Sequence, residues 1–259
     1  FYDSHHARRD VWKAISISAY DTPNVIENDV IVAGMMTMDD VEERKVEWGE
    51  DSPLFRGSVL AEFVEEMDDT VINLSVVREA TQRLSEPQGE VILGCDIARF
   101  GKDKTVVFKR QGDVAEMVWQ TQGRDLMTIA GWIGRYATDN NVDTVVIDDT
   151  GLGGGVTDRL RETIGHKNIV PFRAGAKASR GQEFGNQTTE AWFAMKDWLS
   201  ENGQIPNEDT LIGQLVSRRY EIRSDRSVIL ESKQKMANSP DEADALAMTF
   251  VDMAGVGVW

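Results

Sequence analysis

Short β-branched runs alternate along this chain with longer stretches whose apolar residues recur at helical spacing. The clearest run, Val91-Ile-Leu-Gly-Cys95, closes on Asp96, and a turn-rich segment, Arg99-Phe-Gly-Lys-Asp103, leads into a second run from Thr105 to Phe108. Two such runs joined by a Gly-bearing loop predict a β-hairpin. Gly112-Asp113 supplies turn chemistry before a third strand, Val114 to Trp119. Leu126, Ile129, Ala130, Ile133, Tyr136 and Ala137 predict a helix over 124–139, ended by Asn140-Asn141. Thr144 to Ile147 is a short apolar strand of the kind buried on both faces, and it ends in Asp148-Asp149. The glycine-rich stretch Gly151 to Gly155 opens a helix carrying Val156, Leu160 and Ile164. A short strand at Ile169-Val170, a helix over 190–201 and a helical stretch over 211–216 follow. Tyr220-Glu-Ile222 and Val228-Ile-Leu230 flank Arg223-Ser-Asp-Arg226 as a second hairpin. A last helix spans about 240–254, with Ser239 as N-cap, Pro240 at the first helical position and Glu242 completing a capping box. This order predicts an α/β fold: a mixed β-sheet flanked by helices on both faces, with an additional β-hairpin.

The first 70 residues are less regular. Val11 to Ala19 alternates loosely, as a strand would, and Asp21-Thr-Pro-Asn24 reads as a turn. Thr37 is placed to cap a helix from Met38 to Trp48, ended by Gly49. Leu54 to Phe63 carries apolar residues on both faces, residues 70–83 suit another short helix, and Ser85-Glu-Pro-Gln-Gly89 is a linker. The expected division is 1–70 and 71–259.

Composition narrows the classes. No apolar run approaches the roughly 18 residues of a membrane span, and the N-terminus lacks the apolar core of a signal peptide. Phe1 is not an initiator Met, so the chain is expected to begin inside a longer polypeptide. The single cysteine, Cys95, excludes a disulfide framework and fits a reducing compartment. A net charge of -16 argues against a molecule that binds polyanions over its whole surface. The charge is uneven, however. Residues 39–69 are dense in acid, while Arg218, Arg219, Arg223, Arg226, Lys233 and Lys235 make 218–235 basic, and Arg173, Lys177 and Arg180 fall in a second, weakly basic stretch. Screening confines fields to roughly 8–10 Å, so local patches can govern contact.

Three acids stand out. Asp96 and Asp148 each end an apolar strand, the edge at which open α/β sheets bind ligands. Asp149 points the other way and is expected to be solvated. Asp244 sits in a helix that is apolar nearly all round, with Asp241 one turn earlier on the same face. Two like charges held about 4 Å apart repel by about 4 kcal/mol even at an effective dielectric of 20. A divalent cation removes that cost. Carboxylates without His or Cys suit Mg²⁺ or Mn²⁺ rather than zinc, and two such ions can clamp the attacking and leaving oxygens of a phosphodiester. The glycine run is no Walker motif, because the G-x-x-x-x-G-K-[ST] pattern is missing.

Taken together and in order, Gly94-Cys-Asp96-Ile-Ala-Arg-Phe-Gly-Lys-Asp103, Val146-Ile-Asp148-Asp-Thr-Gly-Leu-Gly, Phe184-Gly-Asn-Gln-Thr-Thr-Glu-Ala-Trp192, and Leu230-Glu-Ser-Lys233 followed by Ser239-Pro-Asp241-Glu-Ala-Asp244-Ala form a specific set. With these motifs the chain resembles the C-terminal nuclease domain of the bacteriophage terminase large subunit, over about residues 19–251. The resemblance implies a ribonuclease-H-like fold and metal-dependent cleavage of duplex, concatemeric DNA during genome packaging, with two Mg²⁺ or Mn²⁺ ions. It places metal ligands at Asp96 and Asp148, the third on the Asp241/Asp244 helix, and an auxiliary acid at Asp103. It implies the terminase small subunit, the portal protein and double-stranded DNA as partners, no membrane, and the host cytoplasm as location. Residues 1 to about 63 resemble the tail of the family's ATPase domain, through Asp21-Thr-Pro23 and Val59-Leu-Ala-Glu-Phe63, with Ala61 where Gly is more usual. The ATPase phosphate loop is missing, so no ATP hydrolysis is expected from this chain alone.

Asp244 is expected to be the direct ligand and Asp241 the weaker one. Lys233 is expected to reach the scissile phosphate as a point charge. DNA contact is expected through Arg218, Arg219, Arg223, Arg226 and Lys235, and through Arg173, Lys177 and Arg180. Two rival readings remain: a non-catalytic packaging or scaffold module, and an actin-like nucleotide-binding domain, in which the paired acids of the last helix have no role.

Overall fold

The structure is a computed structural model and describes residues 13, 15–50, 52–62, 69–98, 103–149, 154–165, 168–236 and 238–251. The chain divides into two units, residues 1–68 with 234–238, and residues 69–233 with 239–259. The short return of 234–238 to the first unit was not expected from the sequence.

In the first unit, a 3₁₀ turn at Ala19–Asp21 leads into α1 (Pro23–Glu27), followed by α2 (Met38–Trp48) and α3 (Pro53–Ser58). Residues 15–18 form no strand, and Ile15 and Ile17 are exposed. The expected turn at 21–24 is the opening of α1, with Pro23 at its first position, where a missing N–H costs nothing. Thr37 caps α2 as expected: its hydroxyl accepts from Asp40 N, and Asp40 accepts from Thr37 N. Asn24 is fully buried and ties down the following loop. Its amide donates to Val32 O and Met35 O, and its carbonyl accepts from Ile31 N and Val32 N. Ala61 adopts φ 54°, a left-handed conformation that glycine takes without steric cost, so the position suits glycine better than the alanine it carries.

The second unit begins with α4 (Leu74–Gln82) and is built on a five-stranded sheet. Its strands are β1 (Val91–Asp96), β2 (Thr105–Gln111), β3 (Val114–Thr121), β4 (Thr144–Asp148) and β5 (Asn168–Phe172), in the order β3-β2-β1-β4-β5. β1, β2 and β3 run antiparallel as a meander, while β4 and β5 run parallel to β1. The helices are α5 (Leu126–Asp139), α6 (Gly154–Ile164), α7 (Gln187–Glu201), α8 (Asp209–Ser217) and α9 (Asp241–Met248). A small hairpin, β6 (Tyr220–Ile222) with β7 (Val228–Leu230), separates α8 from α9. This is the mixed sheet flanked by helices, with an additional hairpin, expected from the order of elements.

Strand alternation sorts the two faces. Leu93, Cys95, Val145 and Ile147 pack with Ile129, Ile133, Val156 and Leu160 of α5 and α6, whereas Ile92 and Val146 pack with Met248 of α9. Asp96 and Asp148 share the parity of Ile92 and Val146, so both side chains face the α9 side. Two expectations for the last helix need correction. It ends at Met248, with Thr249 at the C-cap, rather than continuing to 254, and residues 252–259 lie outside the described residues. Its N-cap is Pro240, not Ser239, and no capping box forms. The side-chain carbonyl of Gln214 in α8 accepts from Glu242 N and Ala243 N instead, at 2.9 and 3.0 Å. Local cap chemistry was replaced by a tertiary cap. Among the described residues no helix is long and apolar enough to cross a membrane.

Candidate functional site

Cys95 of β1 pairs with Ile147 of β4, and the next residues, Asp96 and Asp148, leave these adjacent parallel strands side by side. Neighbouring strands lie about 4.8 Å apart, so two carboxylates are set close together at one sheet edge. α9 lies over that edge because Gly94 has no side chain. A Cβ there would stand 2.0 Å from the carbonyl oxygen of Ala245. The helix backbone can therefore approach β1 directly, and Asp244, the residue before Ala245, is carried over the strand ends.

Asp244 is 5% exposed. One carboxylate oxygen accepts from Trp192 Nε1 at 2.7 Å, and the other is ion-paired with Lys233. Arg218, itself 3% exposed, stands 5.7 Å over the Trp192 ring, and its charge reaches Asp244. Asp96, Asp148, Asp244, Lys233 and Trp192 line one small cavity of about 30 Å³, walled further by Ala174 and Thr188. That volume is on the scale of one water molecule. A larger open groove of about 740 Å³ between α5 and α6 lies on the other face of the sheet and is lined by surface charges such as Arg135, Asp158 and Arg159.

The electrostatics are those of crowded acids. Burial pushes Asp96 well above the usual carboxylate range. Lys233 opposes the shift, and Asp244, Asp241 and Asp148 add to it. Burial alone would lower Lys233, but the Asp244 and Asp96 carboxylates prevail and raise it. Asp241 is also raised, chiefly by burial. Its carboxylate is directed elsewhere: Oδ2 accepts from Lys104 N at 2.9 Å and so ties the start of β2 to α9. Asp103, expected as an auxiliary acid, is exposed beside it. Residues 99–102 and 150–153, which carry most of the two turn motifs, lie outside the described residues.

Asp149 is not solvated as expected. It accepts from the Thr157 hydroxyl at 3.0 Å and lies 3.5 Å from Arg173 Nε, linking β4, α6 and the segment after β5. Cys95 points into the opposite core, where burial pushes its thiol up. The candidate donors are therefore hard carboxylate oxygens, the set that suits Mg²⁺ or Mn²⁺. Among the described residues no three His, Cys, Asp or Glu side chains are drawn into a single cation cage. The Lys233 ammonium on Asp244 and the turn of Asp241 toward Lys104 are the local reasons.

The cations expected at DNA separate into groups. Lys177, Arg223 and Arg226 are exposed and hold no ion pair among the described residues. Arg173 is exposed but pairs with Asp149, Arg219 pairs with Asp69 at 3.9 Å, and Arg180 pairs with Glu183 and Glu190. Arg218 is a correction: it is buried against Trp192 and belongs to the interior of the site, not to an outer surface. Lys235 is exposed and belongs to the first unit. Sequence reasoning did not assign roles to Trp192, Gln214 or Glu190. The motif around Trp192 was visible, but its hydrogen bond spans 52 positions and leaves no local signal.

No protein-family model and no curated protein sequence matches the chain. Solved structures do. The nuclease domain of the large terminase subunit gp2 of bacterial virus Sf6 superposes with a TM-score of 0.61 at 19% identity, covering 70% of this chain and 97% of that domain. A mutant of the same domain, solved with manganese and β-thujaplicinol, gives the same values. The large terminase nuclease of thermophilic phage G20c superposes with a TM-score of 0.51 at 14% identity, covering 70% of this chain and 97% of that one; the same nuclease has been solved with magnesium. Over 70% of its length the chain thus has the fold of these nuclease domains.

Proposed function

We propose that this chain is the nuclease region of a viral DNA-packaging motor, a metal-dependent endonuclease that cuts duplex, concatemeric DNA. The observation that carries the reading is the cavity at the end of β1 and β4, where Asp96, Asp148 and Asp244 from three separate elements line one wall set. The same fold in the Sf6 and G20c domains has been solved with manganese, calcium, magnesium and cobalt, which supports a divalent cation as cofactor.

In this reading Asp96, Asp148 and Asp244 would hold divalent cations, Mg²⁺ or Mn²⁺. Bound ions of this kind stabilise developing charge on phosphoryl oxygens and lower the pKa of water. The chain's own residues supply orientation. The Trp192 indole fixes one oxygen of Asp244, and a residue that orients a ligand is worth about 10–100-fold in metal affinity or activity. Lys233 keeps Asp244 neutralised until substrate arrives and carries a mobile positive charge toward a phosphate. Asp241 holds the start of β2 against α9. The exposed cations Lys177, Arg223 and Arg226 meet the DNA backbone. The first unit is read as the tail of an ATPase domain, so the chain alone hydrolyses no ATP. The small terminase subunit and the portal are its partners, in the host cytoplasm.

Digestion of supercoiled plasmid with Mn²⁺, Mg²⁺ or EDTA tests this. Nicking should need the metal, and Asp96→Asn or Asp148→Asn should abolish it while the fold persists. Wild-type rates in either variant, or cation binding without nicking in the parent chain, would sink the reading; the latter outcome would favour a non-catalytic packaging module.

A further inference from the structure

The segment between β5 and α7 carries Arg173, Lys177 and Arg180, and its middle is hydrogen-bonded to one buried acid. Glu190, in the first turn of α7, is 6% exposed. Its carboxylate accepts from Ser179 N at 2.7 Å, Ser179 Oγ at 2.6 Å, Arg180 N at 2.9 Å and Arg180 Nε at 3.3 Å. Burial alone would raise the Glu190 carboxyl, yet these donors together hold it below the usual glutamate range. The fixed segment then joins two places. At one end Ala174 and Thr188 wall the carboxylate cavity, tied by Thr188 Oγ1 donating to Ala174 O at 2.9 Å. At the other, Val228 N donates to Glu183 O and Gly185 N to Val228 O, so that residues 183–185 run beside β7. Gly185 is packed so closely that a Cβ there would stand 3.0 Å from the Arg223 guanidinium.

We propose that Glu190 is a positioning residue for the nucleic-acid backbone. It locks the basic segment to the Arg223/Arg226 hairpin, so that their exposed cations face one phosphate track leading to the cavity. Arg180 is a strut in this arrangement, held between Glu190 and Glu183 and lying 4.8 Å over the Phe184 ring, while Lys177 and Arg223 make the contacts. The inference rests on the nuclease reading. Gln at 190 would keep the shape but present an N–H₂ where Ser179 N, Arg180 N and Arg180 Nε can only donate.

The test compares plasmid nicking by the parent chain, Glu190→Gln and Ser179→Ala, together with amide hydrogen exchange over residues 176–185. Ser179 is exposed, so its variant should fold even where Glu190→Gln does not. The expected result is lost protection over 176–185, KM for DNA raised about tenfold in Glu190→Gln and less in Ser179→Ala, and kcat at saturating DNA kept within about twofold. Lost protection with KM unchanged, unchanged protection, or kcat and KM failing together would each overturn the proposal. A parent chain that never nicks overturns the nuclease reading itself, and that failure is seen without any variant.

Discussion

A buried carboxylate held by an indole N–H on one oxygen and an ammonium on the other is neutralised in place, and Asp244 is such a group. Asp241, one turn earlier on the same buried helix, spends its carboxylate on Lys104 N. Substitution should separate the two. Asp244→Ala should lower nicking by about 10³-fold, the scale of losing a group that stabilises charge in the transition state. Asp241→Ala should cost about tenfold, the scale of an outer supporting contact. Activity titrated with Mn²⁺ decides: if Asp244→Ala is rescued by excess metal while Asp241→Ala stays dead, the roles are reversed. The acids themselves could be read from the sequence because an ionisable residue closing an apolar strand, or lying inside an apolar helix, contradicts its surroundings. Trp192, Arg218 and Glu190 could not. A tryptophan on a helical apolar stripe is ordinary, and only the fold shows that its N–H meets a carboxylate 52 positions away.

Elements were legible where periodicity and turn chemistry agreed, as in the β1–β2–β3 meander, α5 and the β6–β7 hairpin. They were misread where a tertiary partner replaced a local one. Ser239-Pro-Asp-Glu242 carries the letters of a capping box, but Gln214 takes the amides and the helix begins one residue later. Val11 to Ala19 alternates like a strand, yet its described residues find no sheet partner. The contact that matters most for the site is also between elements: Gly94 of β1 under the Ala245 carbonyl of α9. Gly94→Ala should force the helix outward, at a cost of about 1–3 kcal/mol for overpacking. Because Asp244 precedes Ala245, nicking should fall further than the loss in thermal stability accounts for at the assay temperature. An unchanged melting temperature with full activity would show that α9 does not depend on this close approach.

A molecule carrying a net charge of -16 must bind a polyanion through a restricted patch, if at all. The cations of 218–235 were expected to act together, but five of the residues there and in the neighbouring segment are otherwise engaged, Lys233 with Asp244 and Arg173 with Asp149 among them. Arg218 is buried under Trp192, Arg219 pairs with Asp69, and Arg180 pairs with Glu183 and Glu190. Lys177, Arg223 and Arg226 remain exposed without an ion pair among the described residues. Each phosphate neutralised on duplex DNA contributes about -0.9 to the slope of log K against log salt, so three contacts give a slope of about -3. Affinity should therefore be weak, indifferent to sequence, and lost within a modest rise in salt. The double variant Arg223→Glu with Arg226→Glu should cut that slope by about 2, in line with one phosphate contact per residue. Fluorescence anisotropy of a labelled duplex at several salt concentrations measures both quantities. An unchanged slope in the double variant would mean that the hairpin is a solvated surface, and that the DNA path to the carboxylates runs elsewhere on the molecule.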